Sequence, residues 1–361
     1  MDRPQLIAIA AAVALSCGGG APRAGSGVLL DRPGAAAATG LIRTQVAARG
    51  VLTYDAALAG DELVSIELGE RFELVTRAPG GAVRLRVDLG TADYDVGDLA
   101  VARGTAWVAS ADGTARAIEL RTGAVAITWH LGGRGTAVAV TADGAYVATG
   151  TSTGVLCLRR VADQALLQCV VAHQAAISGL DFAPDGAALA SSGWDGAVVL
   201  WSVPALAVRA RTSIIGSANQ VAMAPDGRTV AIATSPAPPV RTPELADRER
   251  RGELAHAPST VVLWRPERGS RGCAGHGAPV VGIAWAGAAR LVTSSWDRTV
   301  RLWDSRSCAA LAVLGGFTGL VRRVAVDAAG TRVTVAAWPG DLESPSTVVL
   351  GLLYPSKPRA D

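Results

Sequence analysis

The sequence SSWDRTVRLWD, residues 294–304, holds two tryptophans, two aspartates and two arginines within one short stretch. Such a mixture of charged and aromatic residues is typical either of a reaction centre or of a structural unit with an internal polar network. A related stretch, SSGWDGAVVLWS, occurs earlier in the chain at residues 191–202. A motif that recurs within one chain indicates a repeated unit of structure rather than a unique reaction centre.

Alignment of residues 177–203 with residues 280–305 extends the similarity. The aligned pairs are His173 with His276, Asp195 with Asp297, and Trp201 with Trp303. Between these positions, apolar runs alternate with turn residues, which predicts short β-strands. The 42 glycines and 18 prolines of the 361-residue chain also disfavour long helices. The sequence therefore predicts repeated units built from short strands.

This arrangement resembles the WD40 family, whose repeat of about 40 to 45 residues runs from Gly-His to Trp-Asp and forms a four-stranded propeller blade. Gly275-His276 and Trp303-Asp304 carry the resemblance most clearly. The positions that we assign to the repeated tryptophan are Leu74, Ile118, Leu158, Trp201, Trp264, Trp303 and Leu350. The resemblance implies an all-β, seven-bladed β-propeller of WD40 type over residues 41–353, with six or eight blades as alternatives.

The chain ends also bear on this fold. After the last repeat little sequence is left for a fourth strand, whereas LIRTQVAARG, residues 41–50, precedes the first repeat and is typical of a strand. We expect this N-terminal strand to complete the last blade and close the propeller, because a closed sheet arrangement removes exposed edges. Residues 354–361 are expected to form a C-terminal tail.

The resemblance assigns structural roles to the residues that first attracted attention. In the family, a histidine, a serine or threonine, an aspartate and the tryptophan form a hydrogen-bonded network inside one blade. The positions in this chain are His173, Ser191, Asp195 and Trp201 in one blade, and His276, Thr293, Asp297 and Trp303 in another. Three neighbours at the same turns, Trp194, Trp296 and Arg298, are candidates for a contact surface.

The N-terminal residues predict export. An apolar run from Leu6 to Leu15 is too short to span a bilayer but suits a signal peptide over residues 1–16. The run that ends at Cys17 resembles a bacterial lipobox, which implies lipidation of Cys17 and a flexible tether over residues 17–40. Gly18 replaces the aspartate that retains enteric lipoproteins at the inner membrane, which favours the periplasmic side of an outer membrane. Ordinary secretion, or a cytoplasmic protein with a misassigned start, is the alternative.

Residues with catalytic or ligand-binding patterns are scarce. None of the four histidines His130, His173, His256 and His276 lies in a metal-binding spacing, and no phosphate-binding loop or nucleophile elbow is present. We expect no catalytic residues, no metal and no cofactor. A net charge of +3 with one lysine, Lys357, gives no basic stripe for nucleic acid.

Two further features are particular to this chain. Cys157 and Cys169 lie on either side of a hairpin and are either a disulfide or two small buried apolar residues, whereas Cys273 and Cys308 have no obvious partner. An insertion at residues 236–258 lies between the second and third strands of its repeat. It either binds a partner or is a tolerated surface excursion.

Together these observations predict a non-enzymatic scaffold that binds a protein or peptide and is held at a bacterial membrane by a lipid anchor. The alternatives are a propeller enzyme or ligand sensor that uses the central channel, and a cytoplasmic WD40 scaffold.

Overall fold

The computed structural model describes residues 40–49, 51–91, 97–236, 260–339 and 345–353; for residues 40–49 and 353 only the backbone is described. These residues form 28 β-strands and no helix. The strands make seven four-stranded antiparallel sheets. The chain divides into two compact units, unit 1 with residues 1–90 and 284–361, and unit 2 with residues 91–283.

Unit 2 contains four sheets of consecutive strands. The first two are β6 (Leu99–Ala102), β7 (Thr105–Ala109), β8 (Thr114–Glu119), β9 (Val125–His130), and β10 (Gly135–Val140), β11 (Tyr146–Thr151), β12 (Val155–Arg160), β13 (Leu166–Val171). The others are β14 (Ile177–Phe182), β15 (Ala188–Gly193), β16 (Ala197–Ser202), β17 (Val208–Ser213), and β18 (Ser217–Met223), β19 (Val230–Ser235), β20 (Thr260–Arg265), β21 (Gly269–Ala274).

Unit 1 contains the remaining sheets, although β22 begins at the end of unit 2. Two sheets are again consecutive: β2 (Leu52–Ala59), β3 (Glu62–Leu68), β4 (Phe72–Arg77), β5 (Val83–Gly90), and β22 (Val280–Trp285), β23 (Arg290–Ser295), β24 (Val300–Asp304), β25 (Ala310–Leu314). The last has the order β1 (Gly40–Arg49), β28 (Pro345–Leu353), β27 (Arg332–Trp338), β26 (Leu320–Val326).

The expected all-β, seven-bladed β-propeller is confirmed. The closing strand has the predicted partner, since β1 pairs antiparallel with β28 from Gly40 opposite Leu353 to Arg49 opposite Pro345. The first and last described strands therefore belong to one sheet.

Apolar side chains on the two faces of each sheet form cores between neighbouring sheets. In unit 2, one core joins Leu156 and Leu158 of β12 to Leu189 and Trp201 of the next sheet. In unit 1, an equivalent core joins β22–β25 to β26–β28. Because successive residues of a strand face opposite sides, both faces of the second and third strands are apolar, and these strands have few exposed central residues. The fourth strands, for example β13 and β17, are largely exposed.

In unit 2, polar side chains on the first strand of a sheet, or just before it in the case of Asp98, bind the backbone of the first strand of the next sheet. The bonds are Val138 N–H to Asp98 (3.0 Å), Thr136 Oγ1–H to Ile177 O (2.7 Å), Met223 N–H to Asp181 (2.7 Å), and Ile283 N–H to Gln220 (2.9 Å). The two carboxylates among them therefore already have donors from the protein. Adjacent sheets are joined by polar bonds as well as by apolar packing.

Candidate functional site

The structure brings together the four predicted network residues of the sheet β14–β17. Trp201 Nε1–H donates to Ser191 Oγ at 2.9 Å, and Ser191 Oγ lies 2.8 Å from Nε2 of His173. On the other side of the ring, His173 Nδ1 lies 3.1 Å from Asp195 Oδ1. Each side chain comes from a different strand or turn of one blade, so the network connects the blade from its entry loop to its third strand.

The direction of these hydrogen bonds follows from the donor groups. Trp201 can only donate, so Ser191 accepts from it and donates its own proton to His173 Nε2. The other ring nitrogen then carries a proton and donates to the Asp195 carboxylate. Burial lowers the pKa of His173, and although Asp195 opposes this effect, the net pKa lies below the usual value. A neutral imidazole therefore satisfies every partner in the chain.

Desolvation acts to raise the pKa of Asp195, but hydrogen bonds outweigh it. The backbone N–H groups of Gln174 and Ala197 donate to its carboxylate at 2.8 and 3.0 Å, and His173 adds a further favourable interaction. The net pKa of Asp195 is therefore lowered, and the carboxylate is ionised at neutral pH. Asp195 fixes the loop before β14 and the turn before β16 with one side chain.

Ser191, His173 and Asp195 are also the residue types of a hydrolytic triad. Their environment does not suit that chemistry. Ser191 is 0% exposed, and its oxygen already accepts the Trp201 N–H, so a substrate carbonyl has no path to it. This arrangement holds the blade together instead.

The second predicted network lies around β23 and β24. Trp303 Nε1–H donates to Thr293 Oγ1 at 2.8 Å, as in the first network, and His276 is buried. Asp297 accepts the backbone N–H and the hydroxyl of Thr299 at 3.0 and 2.6 Å. The tryptophan, the hydroxyl residue and the aspartate thus occupy corresponding positions in both blades.

Strand register corrects two of the positions assigned to the repeated tryptophan. Trp201 is paired with Leu189, two residues before the hydroxyl residue Ser191. The corresponding pairs in two other sheets are Arg77 with Leu63, and Arg159 with Val147. The structure thus places arginines there, and the assignments of Leu74 and Leu158 were wrong. Ile118, Trp264 and Leu350 do occupy the position.

Arg77 replaces the tryptophan with a buried ion pair. Its guanidinium makes a bidentate contact with Glu67, with Nη2 to Oε2 at 2.9 Å, and Nη1 donates to Ser65 Oγ at 3.2 Å. Ser65 in turn donates to Glu67 at 2.6 Å. Arg77 and Glu67 are 5% and 1% exposed, so this charged pair is almost completely removed from water.

Register explains why a glutamate suits this sheet. Glu67 occupies the position that Gly193 holds in β14–β17, where an added Cβ would lie 2.6 Å from His173 Nδ1 and Asp195 Oδ1. In the sheet β2–β5, the Glu67 side chain therefore extends from the position at which, in β14–β17, the histidine and the aspartate leave no room for a side chain. A network of neutral and anionic groups is replaced there by a salt bridge.

Arg159 stands at the same position in β10–β13 without a carboxylate. Thr151 takes the place of Glu67 in this sheet, and its hydroxyl contacts Thr153 at 3.0 Å. The guanidinium lies over the Trp129 ring, 5.1 Å from its centroid, and the buried Nη1 has no hydrogen-bond partner among the described residues. Burial lowers the pKa of Arg159.

An exposed apolar surface lies beside the first network. Trp194 is 55% exposed in the turn between β15 and β16, and Ile215 is fully exposed in the loop between β17 and β18. Two bonds join turn and loop: Ile214 N–H donates to Gly196 O at 2.9 Å, and Ser217 Oγ–H donates to Trp194 O at 3.5 Å. We call Trp194 and Ile215 the Trp194–Ile215 surface. The sequence pattern indicated Trp194 but not Ile215, which is a single apolar residue in a loop.

The other two candidate contact residues differ from Trp194. Trp296 is only partly exposed, whereas Arg298 is exposed. Arg298 has a φ of 66°, where the equivalent turns of unit 2 have glycine, for example Gly154 and Gly196 with φ of 79° and 78°. Its backbone therefore adopts a conformation that side chains disfavour.

The cysteines are paired more extensively than the sequence indicated. Cys157 and Cys169 lie directly opposite each other on β12 and β13 and form a disulfide with a Cα–Cα distance of 4.1 Å. Of the two alternatives left open for them, the disulfide is the one observed. Cys273 and Cys308, for which the sequence shows no obvious partner, are also disulfide-bonded.

Several predicted segments lie outside the described residues. These are the signal peptide at 1–16, Cys17, the tether apart from Gly40, the insertion after Pro236, and the tail at 354–361. In the chain, the insertion segment falls between β19 and β20. Within the described ranges, no helix is long and apolar enough to cross a membrane, and no three histidine, cysteine or acidic side chains could hold a metal.

Comparison with known proteins supports the class that these sheets define. The family model described as WD40, WD domain, G-beta repeat, matches residues 164–202 and 270–304. Each match covers the last strand of one sheet and the first three strands of the next. No curated protein gives a significant match to the chain. The chain is thus a β-propeller, two stretches of which match the WD40 repeat.

Proposed function

We propose that the protein is a non-enzymatic scaffold that binds another protein or a peptide through the Trp194–Ile215 surface. The observation that carries this proposal is the exposure of a tryptophan and an isoleucine on adjoining loops held by hydrogen bonds. Tryptophan is strongly enriched at the energetic centres of protein interfaces. WD40 propellers typically mediate interactions between proteins, and the polar network beneath Trp194 keeps its turn in place.

The partner that suits this surface presents an apolar side chain. Two apolar residues fixed on a supported surface lose little conformational entropy on binding, which favours affinity. Asp195 next to Trp194 is held by its own blade and is already paired, so it contributes little charge to the surface.

The test compares variants of the purified chain in affinity capture and then in binding measurements with the captured partner. Trp194→Ala and Ile215→Ser should each weaken binding at least tenfold. Val208→Ser is the matched control, because Val208 is 57% exposed on the outer strand β17 and away from these loops. If all three variants bind the partner as tightly as the unaltered chain, the Trp194–Ile215 surface is not the binding site. If only Val208→Ser weakens binding, the interface lies on the outer strands instead.

We also propose that the scaffold is held at a bacterial membrane as a lipoprotein. The support is the apolar run ending at Cys17, and a lipid anchor would leave residues 18–39 as a spacer before β1. Mass spectrometry of the mature N-terminus tests this part. Acylated Cys17 is the expected result; an intact Met1 or an unmodified cleaved terminus would indicate a cytoplasmic or a secreted protein instead.

A further inference from the structure

The Cys157–Cys169 disulfide is asymmetric in its exposure. Cys157 is 6% exposed, whereas Cys169 lies exposed on the outermost strand of its sheet. A thiolate arriving from solvent therefore reaches the Cys169 sulfur first. Attack on that sulfur would make Cys157 the leaving group, inside the protein.

The hairpin does not require this bond for its pairing. In the sheet β14–β17 the same positions hold Val199 opposite Arg211, and the strands there pair in the same antiparallel manner. The two cysteines are only 12 residues apart, so the bond closes a short loop that backbone pairing of β12 with β13 already closes. Opening the disulfide therefore leaves the blade with its strand pairing.

Arg159 provides a positive charge on the Cys157 side of the sheet. Residues two apart in a strand face the same side, so Arg159 and Cys157 lie on one face of β12. Arg77, at the equivalent position, is neutralised by Glu67, but Thr151 stands at the glutamate position here. No carboxylate of the described chain forms an ion pair with Arg159, and its Nη1 is buried without an acceptor. A Cys157 thiolate would supply the negative charge that is missing beside Arg159.

We propose that Cys157–Cys169 is a thiol–disulfide exchange site, in which Cys169 accepts an external thiolate and Arg159 stabilises Cys157 as the departing thiolate. The substrate is a small-molecule or protein thiol. In the reaction the thiolate RS⁻ attacks Cys169 Sγ, the Cys157–Cys169 bond breaks, and an RS–Cys169 bond forms. The electron pair of the broken bond stays on Cys157. One disulfide replaces another with no net oxidation, and return attack by Cys157 restores the starting bond and releases RS⁻.

The experiment exposes the oxidised full-length chain to an excess of reduced glutathione, quenches with acid, blocks free thiols and maps the products by peptide mass spectrometry. We expect the adduct on Cys169 and the blocked free thiol on Cys157. An adduct on Cys157, or no adduct at this pair, would overturn the proposal.

The role of the charge is tested by replacing Arg159. Arg159→Leu copies Leu350, which fills the equivalent position of the sheet β26–β28, so the variant is expected to fold. Because exchange is faster when the leaving thiol has a lower pKa, loss of the charge should slow adduct formation about threefold or more. Arg159→Lys should retain most of the rate. Arg160→Gln is the matched control, since Arg160 faces the other side of β12 and pairs with exposed Asp163 at 2.6 Å. Equal rates for Arg159→Leu and the unaltered chain would exclude Arg159 from the reaction.

Discussion

The buried Arg77–Glu67 pair gives the sharpest prediction for stability. Glu67→Ala would leave the Arg77 guanidinium buried, without its bidentate partner and with Ser65 as its remaining contact among these three residues. Removing one partner of a buried pair typically costs about 3 to 5 kcal/mol, because the remaining charge is neither paired nor hydrated. Arg77→Leu leaves Glu67 in the same situation and should cost a similar amount.

The double variant distinguishes this reasoning from ordinary loss of packing. Arg77→Leu with Glu67→Ala copies the sheet β26–β28, where Leu350 and Ala337 stand at the two positions. Because no uncompensated charge remains, the double variant should lose only about 1 to 2 kcal/mol, less than either single variant. The assay is equilibrium unfolding in denaturant, with stability taken from the midpoint at constant slope. Additive losses in the double variant would refute the argument.

Three further predictions concern other parts of the fold. Asp195→Ala should cost about 1 to 3 kcal/mol in the same assay, because His173 and two backbone N–H groups lose their acceptor, whereas Asp163→Ala in an exposed ion pair should leave the midpoint unchanged. Desolvation, with the nearby charge of Asp98, raises the pKa of Asp181 to about 7, so its contribution to stability is present below about pH 4 and is lost as the pH rises towards 7. Asp181→Asn has no carboxyl group to titrate, so its free energy of unfolding should rise by about 2 kcal/mol relative to the parent between about pH 4 and 8. This is about half the value for a fully dry group, because Asp181 retains some exposed surface. Parallel pH profiles of the two proteins would contradict this. Arg298→Gly should raise the free energy of unfolding by about 1 kcal/mol, because glycine adopts the left-handed backbone conformation without strain. Arg306→Gly is the control and should not raise it, because Arg306 lies in a turn without a positive φ. A loss of stability in Arg298→Gly would exclude strain at that turn.

Much of the fold was predictable because the signals are local. Asp-Gly turns and apolar runs mark the strands wherever hairpins are short, and they gave the correct number of sheets. The predicted tryptophan positions are wrong in two sheets, because the prediction expects an apolar residue there and the chain has an arginine. An error of one residue in such an assignment selects a side chain on the opposite face of the sheet, as with Leu158 instead of Arg159. The spacing from the turn glycine carried the missing signal, since Gly154 precedes Arg159 as Gly196 precedes Trp201.

The parts of the site that sequence did not reveal depend on pairing between strands. Glu67 and Arg77 lie on neighbouring strands, and only their register shows that they meet. The choice between disulfide and buried thiols for Cys157 and Cys169 also required register, because a bulge in the β12–β13 pairing follows Leu158. Ile215 gave no periodic signal, since a single apolar residue in a loop is common.

The pairing of β1 with β28 has a consequence for how the chain reaches its folded state. Gly40 is synthesised long before Leu353, yet the two are neighbours in one sheet. That sheet can form only after β28 has been made, and bringing such distant strands together slows folding. Until β1 pairs with it, β28 presents an open edge to other chains. A chain without residues 40–49 would keep that edge permanently, and it should self-associate in proportion to its concentration.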